Sequence, residues 1–222
     1  SVTIPNSVTS IGYSAFRYCY RLMSVTIPDS VTSIGDEAFY GCDGLTSVTI
    51  PNSVTSIGSC AFYGCDKLVE VINKSSLSIS KGSSSYGYVA YYALDVHSGE
   101  SKIVNYNDYL FYTSEGVNYL LGYVGTATAL ILPNNYKGEN YKIYTYAFIG
   151  CSGLTSVTIP NSVMSIGDYA FSDCNNIKSV TVGQYICSNG LDVFPSYRSI
   201  TNIVILDGVT SIGDDAFRWC EG

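Results

Sequence analysis

The chain has 222 residues, a formal net charge of -7 and a sequence pI near 4.5. Hydrophobic residues make up 46% of the chain and charged residues only 13%, so a sizeable core is possible and uncharged polar groups must cover the surface. The shortage of Lys and Arg argues against nucleic acid and anionic membranes as partners, and no apolar run is long enough to predict direct membrane insertion.

The first 72 residues are built from a 23-residue repeat. The repeat occurs in near-identical form at residues 1–19, 24–42 and 47–65. In the middle copy, SVTIPDSVTSIGDEAFYGC, Val25 and Ile27 alternate with hydroxyl residues, which predicts a short strand buried on one face. Pro28 ends this strand because it has no N–H for a strand ladder.

The second half of each repeat is predicted to return the chain to the start of the next one. Val31 and Ile34 face inward from a second extended stretch, and Gly35 provides a turn. Asp36 is placed to cap a short helical turn, DEAFYGC, with Phe39 facing the core.

Residues 73–129 depart from the period and form a predicted non-repeat insert. The stretch INKSSLSISKGSSS reads as a loop, and YGYVAYYALDVHSG predicts a short helix. The stretch NDYLFYTSEGVNYLLGYVG predicts a β-hairpin with its turn at residues 114–116. One interpretation is that the insert connects two repeat blocks, and a second, compatible one is that it carries the surface that binds a partner.

The repeat resumes in a second block, residues 130–222, which gives three predicted segments: 1–72, 73–129 and 130–222. One coil cannot bury its own apolar edge, so successive coils are expected to stack with their strands paired in parallel. Phenylalanines at one repeat position would then form a buried column. Its members are Phe16, Phe39, Phe62, Phe148, Phe171, Phe194 and Phe217.

The pattern L-x-x-V-x-I-P-x-x-V-x-x-I-G-x-x-A-F-x-x-C, complete at residues 45–65, resembles the BspA-like leucine-rich repeat family. The resemblance covers residues 1–72 and 130–222. It implies an α/β repeat solenoid, a right-handed leucine-rich-repeat coil with parallel β-strands and short helical turns. It further implies a secreted or cell-surface bacterial protein, often adhesin-like, and supplies no catalytic residue. Because the chain opens and stops within a repeat, we expect it to be a fragment of a longer protein.

The cysteines are predicted to be reduced thiols. Six share one repeat position and would form a column of parallel side chains, a geometry that suits a disulfide poorly. We interpret them as small buried hydrophobic residues, although disulfides are common in extracellular proteins. The column consists of Cys19, Cys42, Cys65, Cys151, Cys174 and Cys220.

No arrangement of residues predicts chemistry. There is no Cys-x-x-Cys pair, phosphate loop, nucleophile elbow or dinucleotide fingerprint, and His97 is the single histidine. We place His97 on the solvated tail of the predicted short helix. The sequence therefore predicts no metal site, no cofactor and no enzymatic activity.

Two surfaces are candidates for partner binding. The first is a row of outward-facing hydroxyls, and the second is a group of tyrosines in the insert, since Tyr offers rigid amphipathic contact area. The candidate residues are Thr3, Thr26, Thr49, Thr158 and Thr181 in the row, and Tyr88, Tyr91 and Tyr92 in the insert. Alternatively, the threonines are ordinary exposed strand residues or an ice-binding row, and the tyrosines merely cover a charge-poor surface.

Two functions remain open from the sequence. The chain is a non-catalytic recognition or adhesion module at the cell surface that binds a protein or glycan through the strand face or the insert. Alternatively, it is a passive structural spacer that presents other domains.

Overall fold

The structure is a computed structural model that describes residues 1–218 and residue 220. The chain divides into two compact units, one from Ser1 to Lys102 and one from Ile103 onward. The division into segments 1–72, 73–129 and 130–222 stays a prediction of domain organisation.

Parallel strands at the repeat period form the first unit. Its strands are β1 (Val2–Thr3), β2 (Ser10–Ile11), β3 (Val25–Thr26), β4 (Ser33–Ile34), β5 (Ser47–Ile50), β6 (Ser56–Ile57), β7 (Glu70–Asn73) and β8 (Asp95–His97). They pair as β1-β3, β2-β4-β6 and β5-β7-β8, all in parallel. Val2 lies opposite Val25 and Val48 opposite Val71, so the pairing register is the sequence period itself.

The second unit combines a hairpin with further parallel coils. Its elements are β9 (Val104–Tyr106), β10 (Tyr109–Ser114), β11 (Val117–Tyr123), β12 (Ala129–Ile131), β13 (Tyr141–Ile143), β14 (Ser156–Ile159), β15 (Val163–Ile166), β16 (Ser179–Val182), α1 (Gln184–Asn189) and β17 (Asn202–Ile205). The sheets are β15-β13-β11-β10-β9 and β12-β14-β16-β17. Strands β10 and β11 form the predicted antiparallel hairpin, and β11 then pairs in parallel with β13.

Stacked phenylalanines form the centre of each unit, as the sequence predicts. In the first unit, the Phe39 ring lies 5.1 Å from the rings of both Phe16 and Phe62. In the second unit, the Phe171 ring lies 4.9 Å from Phe148 and 4.8 Å from Phe194. Except for the partly buried Phe16, these rings are almost completely buried. The predicted parallel solenoid is therefore confirmed, with a separate apolar interior in each unit. Phe217, the last predicted member of the column, is only half-buried.

The predicted short helical turns are wrong, because each turn contains residues in the left-handed region. Glu37 has a φ of 55° and Gly41 a φ of 67°, and this conformation cannot continue a right-handed helix. Alternate N–H groups of the turn donate to the next coil, as the Phe39 N–H does to the Ala61 carbonyl at 2.7 Å. The N–H groups between them donate three residues back within the turn, as that of Tyr40 does to the Glu37 carbonyl at 3.1 Å. Asp36 does not cap a helix, since its Oδ1 accepts the Ser59 N–H of the next coil at 2.7 Å.

The short helix predicted across residues 86–99 is also wrong. A 3-10 helix spans Tyr86–Tyr88, and the chain then enters β8, which pairs in parallel with β7. Val71 lies opposite Val96, so this coil is two residues longer than the repeat. His97 consequently lies on a strand and not on a solvated helix tail.

The cysteine column contains no disulfide, since all eight cysteines, each within the described residues, are free. Cys42, Cys65 and Cys174 are buried as predicted, and each Sγ lies 3.2 Å from a phenylalanine carbonyl of the preceding coil. Burial raises the pKa of the Cys174 thiol to about 12, which leaves it protonated and unreactive. Cys151 and Cys220 are only half-buried, and the prediction of burial is wrong for Cys19, which is exposed. Cys19 lies in the first coil, so only the following coil packs against it.

Candidate binding surface

The predicted hydroxyl row is shorter in the first unit than the sequence pattern indicates. Thr3 lies opposite Thr26 on adjacent strands, and both side chains are exposed. Thr49 is half-buried and lies opposite Ile72, which in turn lies opposite His97. The hydroxyl row of the first unit therefore ends at Thr49, because the next two strands have Ile72 and His97 at the equivalent position.

A second short row lies in the other unit. Thr158 lies opposite Thr181, and both are half-buried. Ile131 and Val204 flank this pair on the neighbouring strands, and both are exposed. Two threonines between two branched apolar residues do not make an extended hydroxyl surface.

A polar cluster that the sequence did not predict closes the hydroxyl row of the first unit. The Glu70 carboxylate is fully buried and accepts the Ser101 hydroxyl at 2.6 Å and the Lys102 N–H at 2.7 Å. Its Oε1 also lies 3.1 Å from the His97 Nε2. Lys102 Nζ pairs with the Asp95 carboxylate. Residues 98–102 thus fold back over the first residue of β7, Glu70. The buried Glu70 carboxylate therefore holds this segment in place.

The most extensive aromatic surface of the first unit is a continuous line of tyrosine rings along its turns. Successive ring centroids are 4.9–5.5 Å apart. The rings of Tyr40 and Tyr63 are stacked, and the other neighbours meet edge to face, which is a favourable aromatic geometry. We term this line the tyrosine ribbon, and it consists of Tyr18, Tyr40, Tyr63, Tyr88, Tyr91 and Tyr92.

The ribbon joins the tyrosines of the repeat to those of the predicted insert. The sequence predicts Tyr88, Tyr91 and Tyr92 as candidate binding residues of the insert, without any contact to the tyrosines of the repeat. The missing link is the contact between Tyr63 and Tyr88, whose ring centroids are 5.1 Å apart. The 23-residue spacing of Tyr40 and Tyr63 was the signal that the ribbon continued along the repeat.

Exposed and half-buried rings alternate along the ribbon, and few charged groups lie beside it. The exposed fractions of Tyr18, Tyr63 and Tyr91 are 58%, 41% and 46%. The guanidinium of Arg17 lies 4.9 Å from the ring centroids of both Tyr18 and Tyr40, a cation–π geometry. Arg17 also forms an ion pair with Glu37 at 2.7 Å, so this charge is neutralised locally.

Two carboxylates lie one repeat apart beside the end of the ribbon. Burial, and then the nearby Asp66 carboxylate, raise the pKa of Tyr92. Asp66 Oδ1 is buried with no hydrogen-bond partner among the described residues. Burial, with the nearby charge of Asp66, raises the pKa of Asp43 to about 6. Ionised Asp43 therefore opposes folding at neutral pH.

Replacing Asp43 with Asn is expected to stabilise the protein at pH 7.5 and to have no effect near pH 3.5. The folded-state pKa of about 6 lies above the ordinary value of 3.8, so the penalty is present above pH 6 and disappears as the pH falls through this window. One pKa unit is worth about 1.4 kcal/mol, and solvent screens a half-buried carboxyl, so we expect a gain of about 1 kcal/mol.

Urea denaturation at the two pH values measures this effect. The matched control is Asp29→Asn, which removes an exposed carboxylate of the same unit. An equal change in unfolding free energy at both pH values would contradict the expectation.

The parallel strands, most of them paired at a 23-residue period, and the stacked phenylalanine interior define a β-solenoid of the leucine-rich-repeat class. The chain belongs to the BspA type leucine rich repeat family, which matches residues 1–118 and 124–222 in six copies. The family identified from the sequence is therefore confirmed. No curated protein matches the chain.

Solved structures similar to this chain come from bacteria. A leucine rich cell surface protein from Faecalibacterium prausnitzii is 26% identical, with 91% of this chain and 59% of that chain covered and a TM-score of 0.37. A leucine-rich repeat protein from Bacteroides ovatus is 26% identical, with 98% and 57% covered and a TM-score of 0.38. The chain spans less than two thirds of the length of both.

Two further features bear on possible sites. Within residues 1–218 and residue 220, no helix has the length and apolar character needed to cross a bilayer. The same residues contain no group of three or more His, Cys, Asp or Glu side chains placed to hold a metal ion.

Proposed function

We propose that the chain is a non-catalytic recognition module of a bacterial cell-surface protein and that the tyrosine ribbon binds a partner protein. The observation that carries this proposal is the unbroken contact of six tyrosine rings, three of them exposed, on a surface with few charged groups. Membership of the BspA type family supports the proposed cell-surface location.

Tyrosine is suited to this role for physical reasons. The side chain has few rotatable bonds, an apolar ring and a polar hydroxyl, and it is enriched at the centre of protein interfaces. Each ribbon ring is already held by its neighbours, so binding immobilises little that was free before. The hydroxyl row is a weaker candidate because Ile72 and the Glu70 cluster interrupt it.

Binding of the chain to an array of matrix proteins and glycans tests the proposal. We expect saturable binding to a protein, weakened about tenfold or more in the double variant Tyr63→Ser/Tyr91→Ser, since interface tyrosines commonly contribute over 1 kcal/mol each. The matched control is Tyr13→Ser/Tyr20→Ser, which removes two exposed tyrosines outside the ribbon. A Thr3→Val/Thr26→Val variant tests the hydroxyl row in the same assay.

The remaining outcomes distinguish the alternatives. Binding to glycans alone, or equal loss in the control variant, would overturn a protein-binding ribbon. Loss only in the threonine variant would assign recognition to the hydroxyl row. A complete absence of binding would favour a passive structural spacer that presents other domains.

A further inference from the structure

A groove in the second unit lies apart from the tyrosine ribbon and serves no structural role described above. It opens between the turn at residues 167–172 and the segment 189–195, which follows helix α1. Its volume is about 800 Å³, within the range of about 300–1,000 Å³ that small-molecule sites occupy. The groove is large enough to hold more than one ring of a bound ligand.

The groove exists because one coil departs from the repeat. Helix α1 follows β16 at the place where the two preceding coils of this unit have their second strands, β13 and β15. Strand β15 is therefore the last strand of its sheet. The departure is local, since Phe194 still stacks on Phe171 at 4.8 Å. The sequence SNGLDVFPSY, which replaces SIGDYAFSDC, thus changes the surface while the phenylalanine column is kept.

Tyr169 provides an aromatic platform on one side of this groove. Its ring stacks on Tyr146, with centroids 5.3 Å apart and an interplanar angle of 16°. The position 23 residues after Tyr169 is occupied by Asp192, so the repeat places no third tyrosine on the second face of the Tyr169 ring. Tyr169 is 65% exposed and lines the groove, whereas Tyr146 does not.

Hydrogen-bond acceptors surround the platform. The carboxylates of Asp168 and Asp192 line the groove and are exposed, and neither takes part in an ion pair among the described residues. The Asn189 amide donates to the Tyr185 carbonyl at 2.8 Å, which leaves its side-chain oxygen available as an acceptor. None of the described lining residues is a lysine or arginine.

The negative charge extends beyond the groove. A smaller cavity of about 270 Å³ shares Asn189 and Asp192 with it and adds two further carboxylates, Asp214 and Asp215. Arg218, which also lines this cavity, is paired with Asp215 at 3.2 Å. A ligand with acidic groups would meet uncompensated repulsion here, whereas a ligand with hydroxyl and ammonium groups would be attracted.

We propose that the Tyr169 groove binds a short oligosaccharide that contains an amino sugar. The apolar face of a pyranose ring packs on the open face of Tyr169, and Val193 and Pro195 contribute apolar contact beside it. Asp168 and Asp192 accept hydrogen bonds from sugar hydroxyls and from the protonated amine. This site is independent of the tyrosine ribbon, and neither proposal depends on the other.

Calorimetric titration with a β-linked glucosamine tetramer tests the inference on the intact chain. We expect saturable binding that is at least about tenfold tighter than binding of the N-acetylated tetramer, with no detectable binding of a uronic acid tetramer. Tyr169→Ala should weaken binding by about tenfold or more. Asp168→Asn/Asp192→Asn should remove the preference for the free amine while weak binding of the N-acetylated tetramer persists.

The matched control is Tyr13→Ala, which removes a tyrosine of similar exposure, 69%, from the first unit. Circular dichroism and the urea midpoint verify that each variant is folded. An oligolysine peptide of equal charge serves as the electrostatic comparison. The inference is overturned if no sugar binds at millimolar concentration, if oligolysine binds as tightly as the glucosamine tetramer, or if Tyr169→Ala binds like the unmodified chain.

Discussion

Replacement of Phe62 by Ala is expected to lower the free energy of unfolding by about 3–5 kcal/mol, the usual cost of truncating a fully buried phenylalanine. The Phe62 side chain is 0% exposed, and its ring stacks on Phe39 with centroids 5.1 Å apart and an interplanar angle of 17°. Truncation removes these contacts and leaves a cavity between coils. A coil of a repeat protein is stable only through its neighbours, so the loss affects coils on both sides.

Urea denaturation followed by circular dichroism measures this change. The matched control is Tyr13→Ala, which removes an aromatic ring that is 69% exposed and should change stability by less than about 0.5 kcal/mol. If Phe62→Ala cost less than about 1 kcal/mol, the phenylalanine column would not be the structural centre of the first unit.

Replacement of Gly58 by Ala is expected to cost about 3 kcal/mol, at the upper end of the usual overpacking penalty. A Cβ at this position would overlap the backbone nitrogen of Asp36 and lie 2.6 Å from the carbonyl carbon of Gly35. Both groups are backbone atoms of the preceding coil and cannot rotate away. Relief requires the coils to separate, which weakens inter-coil hydrogen bonds such as the one from the Ser59 N–H to Asp36.

The repeat provides an unusually close control for this prediction. Gly12 occupies the same repeat position, and a Cβ there would have no atom within 4 Å. Gly12→Ala should therefore change the thermal midpoint very little, whereas Gly58→Ala should lower it markedly. Equal effects of the two substitutions would mean that glycine is needed for its backbone conformation and not for the close approach of coils.

These two substitutions show which features the sequence could predict. Phe62 was identified as buried because its position recurs every 23 residues, and parallel stacking brings equivalent positions into one column. The parallel register of Val2 with Val25 follows from the same periodicity. The antiparallel hairpin was also predictable, because two aromatic-rich runs flank a short turn that contains Gly116.

The local conformation of the turns could not be predicted in the same way. Glu37 and Cys60 both have positive φ values, yet neither residue type favours the left-handed region. Alanine and phenylalanine next to a potential capping residue favour a helix locally. Hydrogen bonds to the next coil outweigh that preference, and they do not exist until coils stack.

The two candidate sites were likewise predictable only in part. The sequence indicated two candidate surfaces, the threonine row and a group of tyrosines that includes Tyr88, Tyr91 and Tyr92. It did not reveal that Tyr63 joins them to the repeat, or that a departure from the repeat opens a groove beside Tyr169. The Tyr63 contact depends on a coil that is two residues longer than the period. The groove depends on a coil of normal length whose sequence departs from the repeat.

By itself, the sequence determined the family, the parallel stacking and the residues of the apolar interior, because a strict period makes every coil bury the same side chains. Only the tertiary structure decided the path of the turns, the burial of Glu70 beneath residues 98–102 and the shape of both proposed binding surfaces. These features arise from contacts between coils, or between a coil and a segment outside the period. Neither kind of contact has a local sequence signal, because its energy appears only after the coils have stacked.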